Sequence, residues 1–462
     1  MAGRSASYLV RCLGLTSALA ALSWPLAILA QGIPEDEGGA RATAGIDLRL
    51  ELDDGDPEFR TGFNLDLITA TRTQSLQFSG DFGLTVPLDD IEATAFNDPT
   101  YDLSYVRDTG RSRLSFSVNF SEIDIDSLRT LEDDAGTIFD ESTLIVSEEG
   151  SRERLRTNVG LELGLNDPIG GEIRYRYDDT FFTNVTDPDL EDTRIDEFSG
   201  SLRLDVDRVL SFSLDGQWQR TQTIGTLEED EVRTRLGGGF EWQARPALSL
   251  DGSIAYARIA TDTTNLGVTS REERDGINVA FGADLSRPNG SYSFDLDRTL
   301  NTIGFVTTVE VGRQFDLPRG ASISAMIGAT ELPNGEVFPI GSFNYDRDTA
   351  NGNLGFSLSR SAAVNDDDEA VERTILTGSY QLDLPRDAGL SLSGRLTESD
   401  FTLATDPDIS SMRLSLNYNR PLTEDWGLGA GLSRQLTRED GIGDEIDNIL
   451  FLSLERRFTF RR

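Results

Sequence analysis

The segment Leu450-Phe-Leu-Ser-Leu-Glu-Arg-Arg-Phe-Thr-Phe460 decides the fold. Successive side chains of a β-strand point to opposite sides, so one face of this segment is apolar. That face carries Leu450, Leu452, Leu454, Phe458 and Phe460, interrupted only by Arg456. The opposite face is mostly polar. The segment therefore predicts an amphipathic strand that ends in aromatic residues.

The same period of two recurs along the chain, and no sustained helical period accompanies it. Outside the N-terminal segment, no stretch approaches the roughly 18 consecutive apolar residues of a membrane helix. Clear strands are predicted over 44–52, 111–121, 154–165, 198–206, 209–219, 276–285 and 410–420.

The connectors between the predicted strands alternate in length. Short ones such as 166–171, 287–290 and 317–320 are rich in Gly, Pro, Asn and Asp, as tight turns require. Longer acidic ones lie between them, for example at 122–152, 222–231 and 261–273. A β-sandwich would need Greek-key connections, and a solenoid would show a repeated sequence. The alternation instead predicts an antiparallel meander of about 22 strands, with 18–22 allowed by the weak regions 53–72, 298–306 and 338–353.

Residues 1–30 have the organisation of a signal peptide. Arg4 and Arg11 precede an apolar stretch, and cleavage is expected near Ala30, although an uncleaved membrane anchor is the alternative. The only cysteine, Cys12, lies in this segment, so the mature chain is expected to hold no disulfide. Residues 31–43 are predicted to be a short flexible periplasmic tail, followed by the barrel over 44–462.

These features together resemble bacterial outer-membrane β-barrels, in particular the β-barrel porin group of proteobacteria. The resemblance is architectural and covers residues 44–462. It implies an all-β transmembrane up-and-down barrel without a plug domain, located in the cell outer membrane of a Gram-negative bacterium. Its expected partners are membrane lipid, lipopolysaccharide and the barrel-assembly machinery, and a homotrimer is expected by analogy with porins. Arg461 and Arg462 depart from the pattern, because the usual assembly signal ends on the aromatic residue itself.

Composition excludes several functions. The net charge is −38, which disfavours a nucleic-acid partner, because such binding needs a positive surface. The chain contains no histidine, so histidine bases and histidine metal sites are impossible. All basic residues are arginines, so no phosphate loop with its lysine exists. We therefore expect neither an enzyme nor a bound organic cofactor.

Acidic clusters are the candidate metal sites. Two groups of aspartates could offer oxygen ligands to Ca²⁺ or Mg²⁺ at extracellular loops: Asp53, Asp54 and Asp56, and Asp366, Asp367 and Asp368. Neither has EF-hand spacing. The alternative is a hydrated rim of mutually repelling charges.

The polar faces of the strands are the second candidate site. If the apolar faces contact lipid, the lumen is lined by Arg154, Arg156, Arg174, Arg176, Arg203, Arg233, Arg235, Asp205, Glu162 and Glu241. Such residues either form opposed basic and acidic ladders across a pore, or pair with one another and stabilise the wall. Arg313, Arg434 and Arg456 fall on the lipid side in this register, and the first and last of these are expected to reach the periplasmic interface.

The sequence thus predicts a porin-like channel that passes small polar solutes or an exported polysaccharide, with an acidic extracellular mouth that favours cations or neutral solutes. The alternative is a surface barrel that transports nothing and whose acidic loops bind divalent cations, lipopolysaccharide or other cells.

Overall fold

Alternating apolar and polar side chains place the chain in extended conformation. The computed structural model describes residues 39–88, 95–124, 150–185, 190–225, 228–265, 267–318, 320–364, 370–401, 408–439 and 443–461. Within these ranges, no helix is long and apolar enough to cross a membrane. The regular structure consists of β-strands joined by turns.

There are 22 strands in these ranges. The first eleven are β1 Gly39–Asp53, β2 Asp56–Ala70, β3 Gln74–Pro87, β4 Ala95–Asp108, β5 Ser112–Asp124, β6 Ser151–Leu163, β7 Ile169–Thr183, β8 Asp192–Asp205, β9 Leu210–Ile224, β10 Glu228–Arg245 and β11 Leu248–Asn265. The others are β12 Val268–Arg287, β13 Gly290–Leu300, β14 Phe305–Leu317, β15 Ala321–Glu331, β16 Val337–Thr349, β17 Gly352–Val364, β18 Ala370–Leu384, β19 Ala388–Phe401, β20 Ile409–Pro421, β21 Trp426–Glu439 and β22 Gly443–Arg461.

Each strand pairs antiparallel with the next, and the last strand returns to the first. β1 pairs with β22 from Arg41 opposite Arg461 to Asp53 opposite Ile449. Closure gives every strand two partners, which removes the free sheet edges that an open sheet would expose. The predicted antiparallel up-and-down barrel and its strand number are confirmed. Nothing in the described ranges forms a plug domain inside it.

Two sequence boundaries were wrong. β1 begins at Gly39 rather than at residue 44, so the end of the predicted flexible tail belongs to the wall. The segments 222–231 and 261–273 were predicted to be long loops, but β9 to β12 continue through most of both. Strands above the lipid are hydrated on their outer face as well, so the apolar half of their pattern disappears.

The height of the wall is uneven. β10, β11 and β12 have 18, 18 and 20 residues, whereas β13 to β16 have 11 to 13. Along the tall strands, the outward side chains are apolar up to Tyr256 and Ile277 and polar above them. An outward ion pair stands there, with Arg258 Nη2 2.7 Å from Glu273 Oε1. These strands therefore rise beyond the apolar belt.

The two faces of the wall reverse the usual arrangement of a soluble protein. Large apolar side chains on the outer face are exposed, such as Leu50 at 47% and Leu202 at 59%. Polar side chains on the concave face are among the most buried, such as Glu51 at 1% and Asp178 at 2%. This is the distribution expected of a barrel that has lipid outside and a polar interior.

Candidate functional site in the lumen

All ten predicted lumen residues lie on the face opposite the exposed apolar side chains. Strand register fixes this placement, because Leu155, Val159 and Leu161 of β6 project outward and leave the even-numbered residues facing inward. The same alternation points the predicted lumen residues of β7, β8 and β10 into the barrel. Their role in a pore remains a prediction.

Three of these arginines converge on one carboxylate that the sequence did not single out. Asp178 accepts hydrogen bonds from Arg154 Nε and Nη2, both at 2.9 Å, from Arg156 Nε at 3.1 Å and from Arg176 Nη2 at 2.9 Å. Asp178 lies two residues after Arg176 and directly opposite Arg156. That relation becomes visible only once the register of β6 and β7 is known.

Most of the other predicted arginines also have acidic partners. Arg174 pairs with Glu172, two residues before it on β7. Arg233 Nη2 lies 3.1 Å from Glu231 Oε1, and Arg235 Nε lies 3.8 Å from Asp215 Oδ2. Pairing along one strand or between neighbours is therefore the main role of these side chains that the structure displays. It matches the wall-stabilising alternative.

A cavity of about 740 Å³ lies at the end of the barrel where β1 begins and β22 ends. It is lined by three predicted residues, Arg203, Asp205 and Glu241. Arg203 Nη2 donates to the carbonyl oxygens of Gly164, Leu165 and Asp167 at 3.4–3.5 Å, while its Nε lies 3.3 Å from Asp205 Oδ2. Arg203 thus ties the β6–β7 turn to β8. Glu162 lies nearby in the wall, opposite Arg113 and Glu172.

A row of acidic side chains crosses the inner face of β10 to β14. Glu241 lies directly opposite Asp251, and Asp295 lies directly opposite Glu310. Asp284 of β12 lies between the two pairs. In the part of the chain that the structure describes, none of the five forms an ion pair or a side-chain hydrogen bond. Like charges placed opposite each other destabilise a sheet, so we interpret this acidic row as a functional feature of the wall.

Basic residues occupy the inner face of β18 to β20. Arg395 lies directly opposite Arg413, and Arg373 stands above them. Two of these arginines donate to neutral acceptors: Arg413 Nε to Gln435 Oε1 at 2.9 Å, and Arg395 Nε to Thr397 Oγ1 at 3.4 Å.

The strand order gives the positions of these groups around the ring. In a ring of 22 strands, β18 to β20 lie eleven positions from β7 to β9, whose inner faces carry both arginines and carboxylates. The acidic row on β10 to β14 faces β21 to β3, where Asp47, Asp66 and Asp81 project inward on the same face as Arg49 and Arg60. Opposed basic and acidic ladders therefore stay one of the two predictions for the lumen charges.

The tip of the β13–β14 hairpin folds into the lumen. β13 pairs with β12 only up to Arg298 opposite Val279, after which the hairpin leaves the wall. Leu300 and Phe305 then pack against Ala257 and Ile259 on the inner face of β11. Asn278 Oδ1 accepts a hydrogen bond from Leu300 N at 2.9 Å. Sequence reasoning found only a weakly patterned region over 298–306 here.

Within the described ranges, no three acidic side chains converge on a point where they could hold a metal ion. Asp54 occupies a tight turn between β1 and β2, with φ of 47°, and its Oδ1 accepts hydrogen bonds from Asn448 N and Nδ2 at 3.0 and 3.1 Å. Asp53 ends β1 and Asp56 begins β2. Asp366, Asp367 and Asp368 lie outside the described residues.

No protein-family model and no curated protein matches this sequence. The structure, by contrast, resembles outer-membrane β-barrels of the TonB-dependent receptor type, which carry a plug domain. The ferric-catecholate import receptor Fiu of E. coli aligns with a TM-score of 0.61 at 10% identity, over 92% of this chain and 82% of that chain. The FrpB iron transporter of Neisseria meningitidis aligns with a TM-score of 0.61 at 12% identity, over 92% and 82%. The ferric enterobactin receptor PfeA of Pseudomonas aeruginosa aligns with a TM-score of 0.59 at 11% identity, over 91% and 80%. At such identities the comparison shows a shared fold.

Proposed function

We propose that this protein is a porin-like channel that passes small polar solutes across a Gram-negative outer membrane. The observation that carries the proposal is the polar inner face of the closed wall. It holds the acidic row on β10 to β14 and the arginines of β6, β7 and β18 to β20. A wall that only anchored surface loops would not need repelling carboxylates in its interior.

The size of the ring supports an aqueous passage. For the 22 strands, a spacing of about 4.8 Å and a tilt of about 40° give a backbone diameter of about 40 Å. Side chains from the two sides cannot fill such a width. The inward-folded tip of β13–β14 narrows it from one side, since Leu300 and Phe305 pack against Ala257 and Ile259 on the inner face of β11.

The structural neighbours support a transport role in the same membrane, because their names describe import receptors and transporters.

The charge of the lumen favours cations and neutral solutes. The five acidic residues of the row have no arginine partner among the described residues. Most arginines of β6 to β10, by contrast, pair with a carboxylate. A passage lined by uncompensated carboxylates concentrates cations.

Single-channel recording of the refolded chain without residues 1–30, in a planar bilayer with a KCl gradient, tests the proposal. Stable conductance steps with a reversal potential on the cation side are expected. A barrel that inserts, as judged by heat-modifiable mobility in gels, but never conducts would refute the channel. The alternative of a surface barrel that binds divalent cations, lipopolysaccharide or other cells would then take its place.

A further inference from the structure

Two arginines project from the outer, apolar face of the wall, where charge is costly. Arg313 of β14 lies directly opposite Tyr292, and Arg456 of β22 lies directly opposite Trp426. A charged residue at the bilayer midplane costs about 2–4 kcal/mol, and near an interface about 0–1. Their depth and surroundings therefore decide what they can do.

Both guanidinium groups are clamped in the same way between two aromatic rings. The Cζ of Arg313 lies 3.8 Å from the centre of the Tyr292 ring and 4.3 Å from that of Phe315. In the second clamp, the Cζ of Arg456 lies 5.0 Å from the centre of the Trp426 ring. The ring of Phe458 lies 4.5 Å from the same Cζ. In each clamp one ring comes from the residue directly opposite and the other from the residue two positions later on the same strand.

The two clamps lie at the same level of the wall. Tyr292 comes two residues after the first residue of β13, and Trp426 is the first residue of β21. At a rise of about 3.3 Å per residue, both clamps are within about 7 Å of the turns at the end of the barrel where β1 begins and β22 ends. This end is periplasmic in the proposed orientation, so the clamps lie at the inner-leaflet interface.

Neither arginine has a carboxylate partner in the part of the chain that the structure describes. Arg313 Nε and Nη1 are buried, and their N–H groups donate to no acceptor among the described residues. Ring faces attract the cation but are not hydrogen-bond acceptors comparable to an oxyanion. Two clamped guanidinium groups without counter-charges, facing lipid at headgroup depth, are complementary to a phosphate.

We propose that the Arg313 and Arg456 clamps each bind the phosphate of an inner-leaflet phospholipid. The aromatic rings hold the guanidinium at the level of the headgroup and contact the first carbons of the acyl chains, while the guanidinium donates to the phosphate oxygens. The proposal goes beyond conduction and rests only on the membrane location and orientation of the proposed function.

Native mass spectrometry of the refolded chain without residues 1–30 in detergent tests the proposal, with phosphatidylglycerol titrated in one series and the phosphate-free lipid digalactosyldiacylglycerol in the other. We expect two copies of phosphatidylglycerol retained beyond the number of galactolipids. Arg313→Gln and Arg456→Gln should each lose one copy, with retention at that site about tenfold weaker.

Arg434→Gln is the matched control. Arg434 also projects outward, from β21, but it contacts no aromatic ring among the described residues. Equal retention of both lipids, wild-type retention by the clamp variants, or an equal loss in Arg434→Gln would overturn the proposal. Conductance recorded on the same samples separates the two proposals. A barrel that conducts but does not retain phosphatidylglycerol refutes only the lipid clamps. A barrel that retains the lipid but does not conduct refutes only the channel.

Discussion

At the scale of single residues, Asp178 holds the strongest charge cluster of the lumen wall. It is 2% exposed and forms ion pairs with Arg154, Arg156 and Arg176, which are 11%, 20% and 32% exposed. Asp178→Asn keeps the shape of the side chain but removes the negative charge that these three guanidinium groups share. We expect the free energy of unfolding to fall by about 2 kcal/mol, less than the roughly 3–5 kcal/mol of a fully buried pair, because the arginines are partly hydrated. Urea unfolding followed by tryptophan fluorescence measures this loss.

Asp205→Asn provides the control for that measurement. The Arg203–Asp205 pair is 45% and 36% exposed, so its loss should change the stability by well under 1 kcal/mol. Equal losses in the two variants would show that Asp178 does not organise the cluster.

At the scale of elements, the inward-folded tip of β13–β14 depends on a glycine in β12. A Cβ at Gly276 would lie 2.3 Å from Cζ of Phe305, so Gly276→Ala forces the ring away from the wall. Overpacking of this kind costs about 1–3 kcal/mol, and we expect the tip to detach rather than β12 to move, because β12 remains paired with β11 along its full length. The single-channel conductance should rise, since a constricting element would leave the lumen.

Gly378→Ala is the matched substitution for that experiment. Gly378 also lies inside a strand, and nothing lies within 4 Å of a Cβ placed there. Its conductance should equal that of the wild type. An unchanged conductance in Gly276→Ala as well would show that the tip does not limit the passage.

The strands that rise above the apolar belt should respond to acid. Arg258 donates a hydrogen bond to Glu273, and this contact lowers the pKa of Glu273 below its ordinary value. A carboxylate with a lowered pKa stabilises the folded state above its unfolded pKa, and this stabilisation is lost as the pH falls through the folded value. Hydrogen exchange of the β11–β12 tip, corrected for intrinsic rates, should therefore accelerate below about pH 4. In Arg258→Gln the acceleration should disappear; if it persists, other groups control the tip.

The sequence predicted those elements whose outer face touches lipid, and it failed where that contact ends. β5, β6 and β22 were recognisable because Phe116, Leu161 and Leu452 keep a strict period of two. The upper parts of β10 to β12 were predicted to be loops, because ion pairs such as Arg258–Glu273 and Arg271–Asp262 replace apolar residues on the outer face. The folding of Leu300 and Phe305 into the lumen was invisible, because it depends on β13 ending lower than β12.

The lumen charges could be located from sequence, but their partners could not. Alternation alone places Arg154, Arg156 and Glu241 on the inner face. Which residue lies opposite each of them depends on the register between strands that are joined by turns and loops of unequal length. Asp178 and the acidic row therefore emerged only from the paired structure.

At the scale of the whole molecule, the charge of the lumen wall is compensated unevenly around the ring. The arginines of β6 to β10 pair with carboxylates such as Asp178 and Asp215, whereas none of the five carboxylates of the acidic row forms an ion pair within the described ranges. A cation that passes along the wall formed by β10 to β14 is therefore attracted more strongly than one that passes along the paired wall. The acidic row should accordingly determine the ion selectivity.

Neutralising part of that row should weaken the preference for cations without weakening the barrel. Asp295→Asn combined with Glu310→Gln removes two like charges that lie directly opposite each other, so the free energy of unfolding should hold or rise slightly. The reversal potential in a KCl gradient should shift towards zero. Glu273→Gln combined with Asp444→Asn changes the net charge by the same amount on the outer face of the rim, where Glu273 pairs with Arg258 and Asp444 pairs with Arg438. If both double variants shift the reversal potential equally, the net charge of the protein controls selectivity; a shift confined to the first assigns it to the acidic row.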